Sequence, residues 1–238
     1  MPMPRTATTT AEPRLGPPLY RLLAWLSPGF PTGGFSYSHG LEAAVEGGAV
    51  RDRDGLAAWV AAVVAHGGGR IDGDVLCSAH RAAAAGDLAA LGLANRRGAV
   101  FRATAELSSE NSQQGEAFLA ACRIAWPDSF LESWEAADEG VSHAAAFGAA
   151  AARAGIALED ALLGYLQAFA ANLVSAGLRL GLCGHTGAQR IIAELEPVVC
   201  AAAGAAMSRD PDDFGAATFA VDLASMLHET QYSRLFRS

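Results

Sequence analysis

Asp52-Arg53-Asp54-Gly55-Leu56-Ala57-Ala58-Trp59-Val60-Ala61-Ala62-Val63-Val64-Ala65-His66 decides the fold class. Its large apolar residues, Leu56, Trp59, Val60, Val63 and Val64, recur at i, i+3, i+4, i+7 and i+8, which puts all five on one face of a helix. Asp52 or Asp54 supplies the start signal. The Gly67-Gly68-Gly69-Arg70 run that follows reads as a helix stop, through the left-handed conformations that glycine allows.

The same period continues outward in both directions, and period-2 alternation is found over no useful length. Leu41 to Val45 is predicted helical. Asp72 to Ala85 stops at Gly86, Leu88 to Arg97 opens on Asp87 and stops at Gly98, and Phe101 to Cys122 runs on to Pro127. Glu139 to Ala154 ends at Gly155, and Glu159-Asp160 opens a long helix to Leu182. Thr186 opens another to Glu196, where Pro197 starts a new helix or kinks the old one. Asp210-Pro211-Asp212-Asp213 reads as an N-cap with proline at N1 and two carboxylates at the positive dipole end. The expectation is an all-α, single-domain bundle of about nine or ten helices. Ala144 to Ala152, with one large residue, predicts either a close helix crossing or a self-association surface, with alanine codon bias as the duller explanation.

With 238 residues, 51% hydrophobic and 18% charged, the chain can bury one full core. Met1 to Pro18, rich in proline and threonine, reads as a disordered arm, 19–227 as the helical domain and 228–238 as a separate tail. The net charge of -8 and scattered arginines leave no electrostatic footprint for nucleic acid or an anionic membrane. All 17 basic residues are arginine. That excludes a Schiff-base lysine and a phosphate loop ending in Gly-Lys. Cys77, Cys122, Cys183 and Cys200 form no Cys-x-x-Cys pair, as suits a reducing, cytoplasmic setting. No signal peptide is visible. The uncharged stretch Ala161 to Leu178 approaches a membrane span in length, yet Gln167, Asn172 and Ser175 make it read as the central buried helix of a soluble domain.

Chemistry is hard to find. His39, His66, His80, His143, His185 and His228 are never paired at ligand spacing, and His228-Glu229-Thr230-Gln231-Tyr232 puts tyrosine where a zinc helix needs its second imidazole. Ser36, Ser38 and His39 invite a nucleophile reading, but Gly34-Phe35-Ser36-Tyr37-Ser38 is no Gly-x-Ser-x-Gly elbow. No catalytic residue, metal ligand or cofactor is expected. The segment instead forms a loop pinned by Pro28 and Pro31, offering Phe35 and Tyr37 for recognition, with Tyr37 expected as the contact and Phe35 as core.

The residues from His228 to Ser238 carry anchor-type side chains where most chains carry disposable ones. Burying Tyr232, Leu235 and Phe236 would gain about 1.5 to 3 kcal/mol each, against about 1 to 2 kcal/mol of backbone entropy per ordered residue. The near balance predicts docking only into a ready-made groove, on a partner or on the chain's own core.

Ser27-Pro28-Gly29-Phe30-Pro31-Thr32-Gly33-Gly34-Phe35-Ser36-Tyr37-Ser38-His39-Gly40-Leu41-Glu42, then Asn172-Leu173-Val174-Ser175-Ala176 with Gln189-Arg190-Ile191, then the tail, resemble in this order the UreF family of urease accessory proteins. The resemblance implies an all-helical homodimer that binds the accessory protein UreD, also called UreH, and recruits the GTPase UreG, so that nickel reaches apo-urease. It implies a chaperone that hydrolyses nothing itself, with nickel carried chiefly by others, and a tail that orders on meeting UreD. Carried over by position, the partner-binding residues are Ser36, Tyr37, Glu42, His228, Glu229, Gln231, Tyr232, Arg234, Leu235 and Phe236, with Arg234 foremost because a guanidinium can hold a carboxylate bidentately. Leu227, His185 and the segment Glu106 to Gly115, which lacks basic residues, depart from the family pattern. Two other readings stay open: an all-helical hydrolase or small-ligand binder using residues 33–39, and a metallochaperone binding nickel through His39, His185 or His228.

Overall fold

A computed structural model describes residues 16–135 and 140–238. Eleven α-helices occur among them: α1 (Pro17–Trp25), α2 (Leu41–Glu46), α3 (Arg53–His66), α4 (Gly68–Ala85), α5 (Leu88–Val100), α6 (Ala105–Ala125), α7 (Ser129–Ser133), α8 (His143–Arg153), α9 (Leu158–Arg179), α10 (His185–Ser208) and α11 (Phe219–His228). No strand is present among the described residues, and the all-α expectation holds. The helices that the sequence did not signal are α1 and the short α7. The arm expected over 1–18 lies mostly outside the described residues; α1 already begins at Pro17, with proline in its first turn, where a missing N–H costs nothing.

The reading of residues 52–66 is met closely. Asp52 caps α3 by accepting from Gly55 N at 2.9 Å, and Leu56, Trp59, Val60, Val63 and Val64 are all buried. The glycine run needs correction. Gly67 ends α3 with φ -106, outside the left-handed region, and Gly68 and Gly69 form the first turn of α4, four residues before the expected start. Close approach explains the glycine instead, because a Cβ on Gly69 would lie 2.6 Å from the Val64 carbonyl oxygen.

Gly98 is likewise no stop. It sits inside α5, where a Cβ would meet Ser142 Oγ at 2.4 Å. Pro197 neither ends nor restarts α10; the Ala193 carbonyl it frees is on the exposed face, where water can satisfy it. Asp210-Pro211-Asp212-Asp213 is a turn, and α11 starts later, at Phe219. Its groups are used by arginines: Arg70 donates to Asp213 Oδ1 at 2.7 Å and Arg97 to the Pro211 carbonyl at 2.6 Å.

Residues 144–151 are all buried within this chain, which favours the close-crossing reading: a Cβ on Gly148 would lie 2.6 Å from the Leu76 carbonyl oxygen of α4. Beside α8 lies an aromatic cluster in which Trp25 meets Phe118 and Phe147 edge-on at 5.7 and 6.1 Å. α9 is less central than expected. One face is buried from Ala161 to Gly177, while Leu163, Gln167 and Ser175 are exposed. α9 and α10 are both long and apolar enough to cross a membrane by length and composition, and half of the α9 window is buried inside the fold.

Candidate functional site: the tail and its cradle

The chain after α11 folds back onto the start of α2 and one face of α6. Glu42, in the first turn of α2, is the hub. Its Oε1 accepts from Leu235 N at 2.7 Å and its Oε2 from Phe236 N at 2.9 Å, with His228 Nε2 at 3.2 Å from Oε2. Glu106 and Glu110 stand one turn apart on α6. Glu106 Oε2 is 2.6 Å from His228 Nδ1, and its Oε1 pairs with the Arg234 guanidinium. Glu110 accepts from Ser238 Oγ at 2.8 Å and lies 2.9 Å from His39 Nε2. Glu229 completes the clamp by accepting from Ala105 N at 2.9 Å and Glu106 N at 3.3 Å, taking up two of the free donors at the α6 N-terminus.

The tail also binds the loop that precedes α2. Ser38 N donates to the Ser238 carbonyl at 2.8 Å, as does the Ser38 hydroxyl, and Arg237 N donates to the Ser36 carbonyl at 2.8 Å. The Arg237 guanidinium lies 5.7 Å from the Tyr37 ring, and Arg179 of α9 lies 4.4 Å from the Phe236 ring. Burial pushes the Tyr37 phenol up in pKa, and Arg237 beside it opposes the rise. His39 has φ 53, a strained value for a residue other than glycine, and Gly40 follows at φ 73. A Cβ on Gly40 would lie 2.6 Å from Ser225 N of α11, so the chain can pass from loop to α2 only with glycine there.

The loop itself stands proud of this cradle. Gly34–Ser36 forms a short 3-10 turn that Asn172 pins by donating to the Gly34 carbonyl at 2.8 Å. Phe35 is 67% exposed and Tyr37 only 4%, which reverses the expected assignment of contact and core. Tyr37 turns inward because its hydroxyl can donate to Gln113 Oε1 at 3.1 Å, an option Phe35 lacks. Between the loop and α9 runs a groove of about 810 Å³, walled by Trp25, Phe30 and Phe147 with Glu110 and His143 at its base. Desolvation holds His143 down at about 4, and Tyr165 beside it donates to Asp72 at 3.0 Å.

The ten residues carried over from the resemblance thus fall into two sets. Tyr37, Glu42, His228 and Phe236 are buried and hold the tail from within. Glu229, Tyr232, Arg234 and Leu235 are exposed, with Ser36 and Gln231 half-buried. Tyr232 and Leu235, expected to gain from burial, stay outside, and Leu227 joins them on the surface. Glu106, Glu110, Ser38 and Gly40 went unrecognised as site residues. The i, i+4 spacing of Glu106 and Glu110 on one helix face was the signal available for them. The Ser38 hydroxyl is committed to Ser238 and His39 to Glu110, so the loop holds no serine and histidine in hydrogen-bonded register. No group of three or more His, Cys, Asp or Glu side chains is arranged to hold a metal ion among the described residues.

Comparison with known proteins supplies the family. The UreF family model matches residues 50–196. The chain belongs to the UreF family. A protein of Granulibacter bethesdensis named urease accessory protein UreF is 48% identical over 221 residues, covering 92% of this chain and 94% of its own. Another of that name, from Azorhizobium caulinodans, is 46% identical over 231 residues, covering 97% of this chain and all of its own. The family model spans the helical core from the end of the α2–α3 connection into α10, while the loop before α2 and the tail lie outside residues 50–196.

Proposed function

We propose that this UreF-family chain is a non-enzymatic scaffold of urease maturation. It pairs as a homodimer, binds UreD (UreH), and through the complex brings the GTPase UreG to apo-urease for GTP-dependent nickel insertion, with nickel as cargo and the cytoplasm as its setting. One observation carries the reading. The tail and the loop bearing Phe35 share a single hydrogen-bonded cradle, so a partner that grips the tail also sets the loop. Exposed Tyr232, Arg234 and Leu235 offer the first grip and exposed Phe35 the second. Ser36, Glu229 and Gln231 flank them, while Tyr37, Glu42, His228 and Phe236 transmit the coupling. The four cysteines, all free, fit a reducing compartment.

Co-purification tests it. Arg234→Ala is expected to leave the helical content intact while abolishing capture of UreD and UreG together, and Phe35→Ala to spare UreD but lose UreG. A chain carrying both substitutions that still assembles with both partners and matures urease at the usual rate would overturn the scheme.

A further inference from the structure

Two polar groups at the start of α11 serve neither the tail nor the core. Thr218 occupies the N-cap position, where a threonine hydroxyl ordinarily accepts from a backbone N–H two or three residues on. Here it makes no cap bond although the residue is only 8% exposed. Asp222 follows four residues later on the same face. Its carboxylate has no hydrogen bond or ion pair among the described residues, and burial raises its pKa.

Both line a cavity of about 380 Å³ between the first turns of α4 and α11 and the connection from α5 to α6. Ile71, Phe101, Leu107 and Val221 line it with apolar surface, and His39 lines it as well, its ring held by Glu110 at 2.9 Å. Arg102 reaches it too, but that guanidinium is spent on Asp72 at 2.7 Å and Asn111 at 2.9 Å. What remains free is an unpaired carboxylate and a hydroxyl at one end of a greasy channel. Of the residues that line it, Val100 and Phe101 are exposed.

We propose that this cavity receives a basic side chain, lysine or arginine, from a partner polypeptide, with its alkyl stem along Ile71, Phe101 and Val221 and its charged head on Asp222 and Thr218. Stem and head match the two chemistries of the channel. A carboxylate kept partly out of water without a counterion gains most from a cation that arrives with its own apolar sleeve. The net charge of -8 favours a basic partner at long range. The exposed apolar rim supplies flanking contacts of the kind that exclude water around an anchor. The cavity shares His39 with the tail cradle, while among the described residues the Asp222 and Thr218 side chains bond to no residue of the tail.

The test titrates the tripeptide acetyl-Leu-Lys-Leu-amide into the full-length, isotope-labelled protein and follows backbone amide signals, with acetyl-Leu-norleucine-Leu-amide as the uncharged control. Saturable shifts are expected at residues 68–71, 100–103 and 216–222. Affinity should fall at least tenfold for the norleucine peptide and for Asp222→Asn, and by less for Thr218→Val. Circular dichroism checks that both variants stay folded. Equal binding of the two peptides would show a merely apolar groove, and unshifted signals an unused cavity; either result overturns the proposal.

Discussion

Glu42→Gln is the sharpest probe of the tail cradle. The substitution keeps shape and length but replaces one acceptor oxygen by an NH2 group. In the parent, Oε1 and Oε2 each accept a backbone N–H, from Leu235 at 2.7 Å and Phe236 at 2.9 Å, so in the variant one of these donors must face another donor. A hydrogen bond to a charged group contributes about 1.5 to 3 kcal/mol, and a buried unsatisfied donor costs about 1 to 3 kcal/mol. The Glu42 side chain is 9% exposed, so solvent offers little compensation. Docking of the tail should weaken by about 2 to 3 kcal/mol, which corresponds to roughly 30- to 150-fold at about 1.4 kcal/mol per tenfold. Hydrogen exchange reads this directly: the amides of Leu235, Phe236, Arg237 and Ser38 should lose protection by that factor, while amides of α4 and α9 keep theirs, because the tail opens without the core. Protection at Leu235 and Phe236 within threefold of the parent would refute the role of Glu42 as hub. Uniform loss across α4 and α9 would show that the tail is inseparable from the fold.

Gly40→Ala should lower the thermal midpoint steeply and expose the tail to proteolysis, since the new Cβ meets Ser225 N at 2.6 Å with φ at 73 and neither backbone can yield; an unchanged midpoint would contradict the close packing of loop on α11. His143 predicts an acid-sensitive core. Its folded pKa of about 4 lies below the unfolded value near 6.5, so the unfolded chain binds the extra proton. Stability is therefore full above about pH 6.5 and declines as pH falls toward about 4, by up to about 3 kcal/mol from this group. Denaturant melts across that range should show the slope, and His143→Gln should flatten it.

The fold class was legible because it depends on local periodicity. Leu56, Trp59, Val60, Val63 and Val64 have to share a face whatever the rest of the chain does, and every one of them is buried. Punctuation was less reliable. Gly69 and Gly98 look like breaks in sequence, yet they lie inside helices at points where another backbone or side chain comes within about a Cβ of them. Nothing local records such an approach. The Asp210 to Asp213 turn failed as a helix start for a related reason: the carboxylate expected at a helix dipole is taken by Arg70, 143 residues away.

The site divides along the same line. Sequence by itself determined that the chain is helical and that it belongs with UreF proteins, and it singled out the loop and the tail as candidate recognition segments, because residue type and block order survive without knowledge of packing. Tertiary structure alone decided that tail and loop meet, that Glu42 joins them across 193 residues of chain to Leu235, and that Phe35 faces outward while Tyr37 turns in. Those outcomes depend on which buried donor finds an acceptor, and the acceptors, Gln113, Glu106 and Glu110, come from a helix that only folding brings alongside.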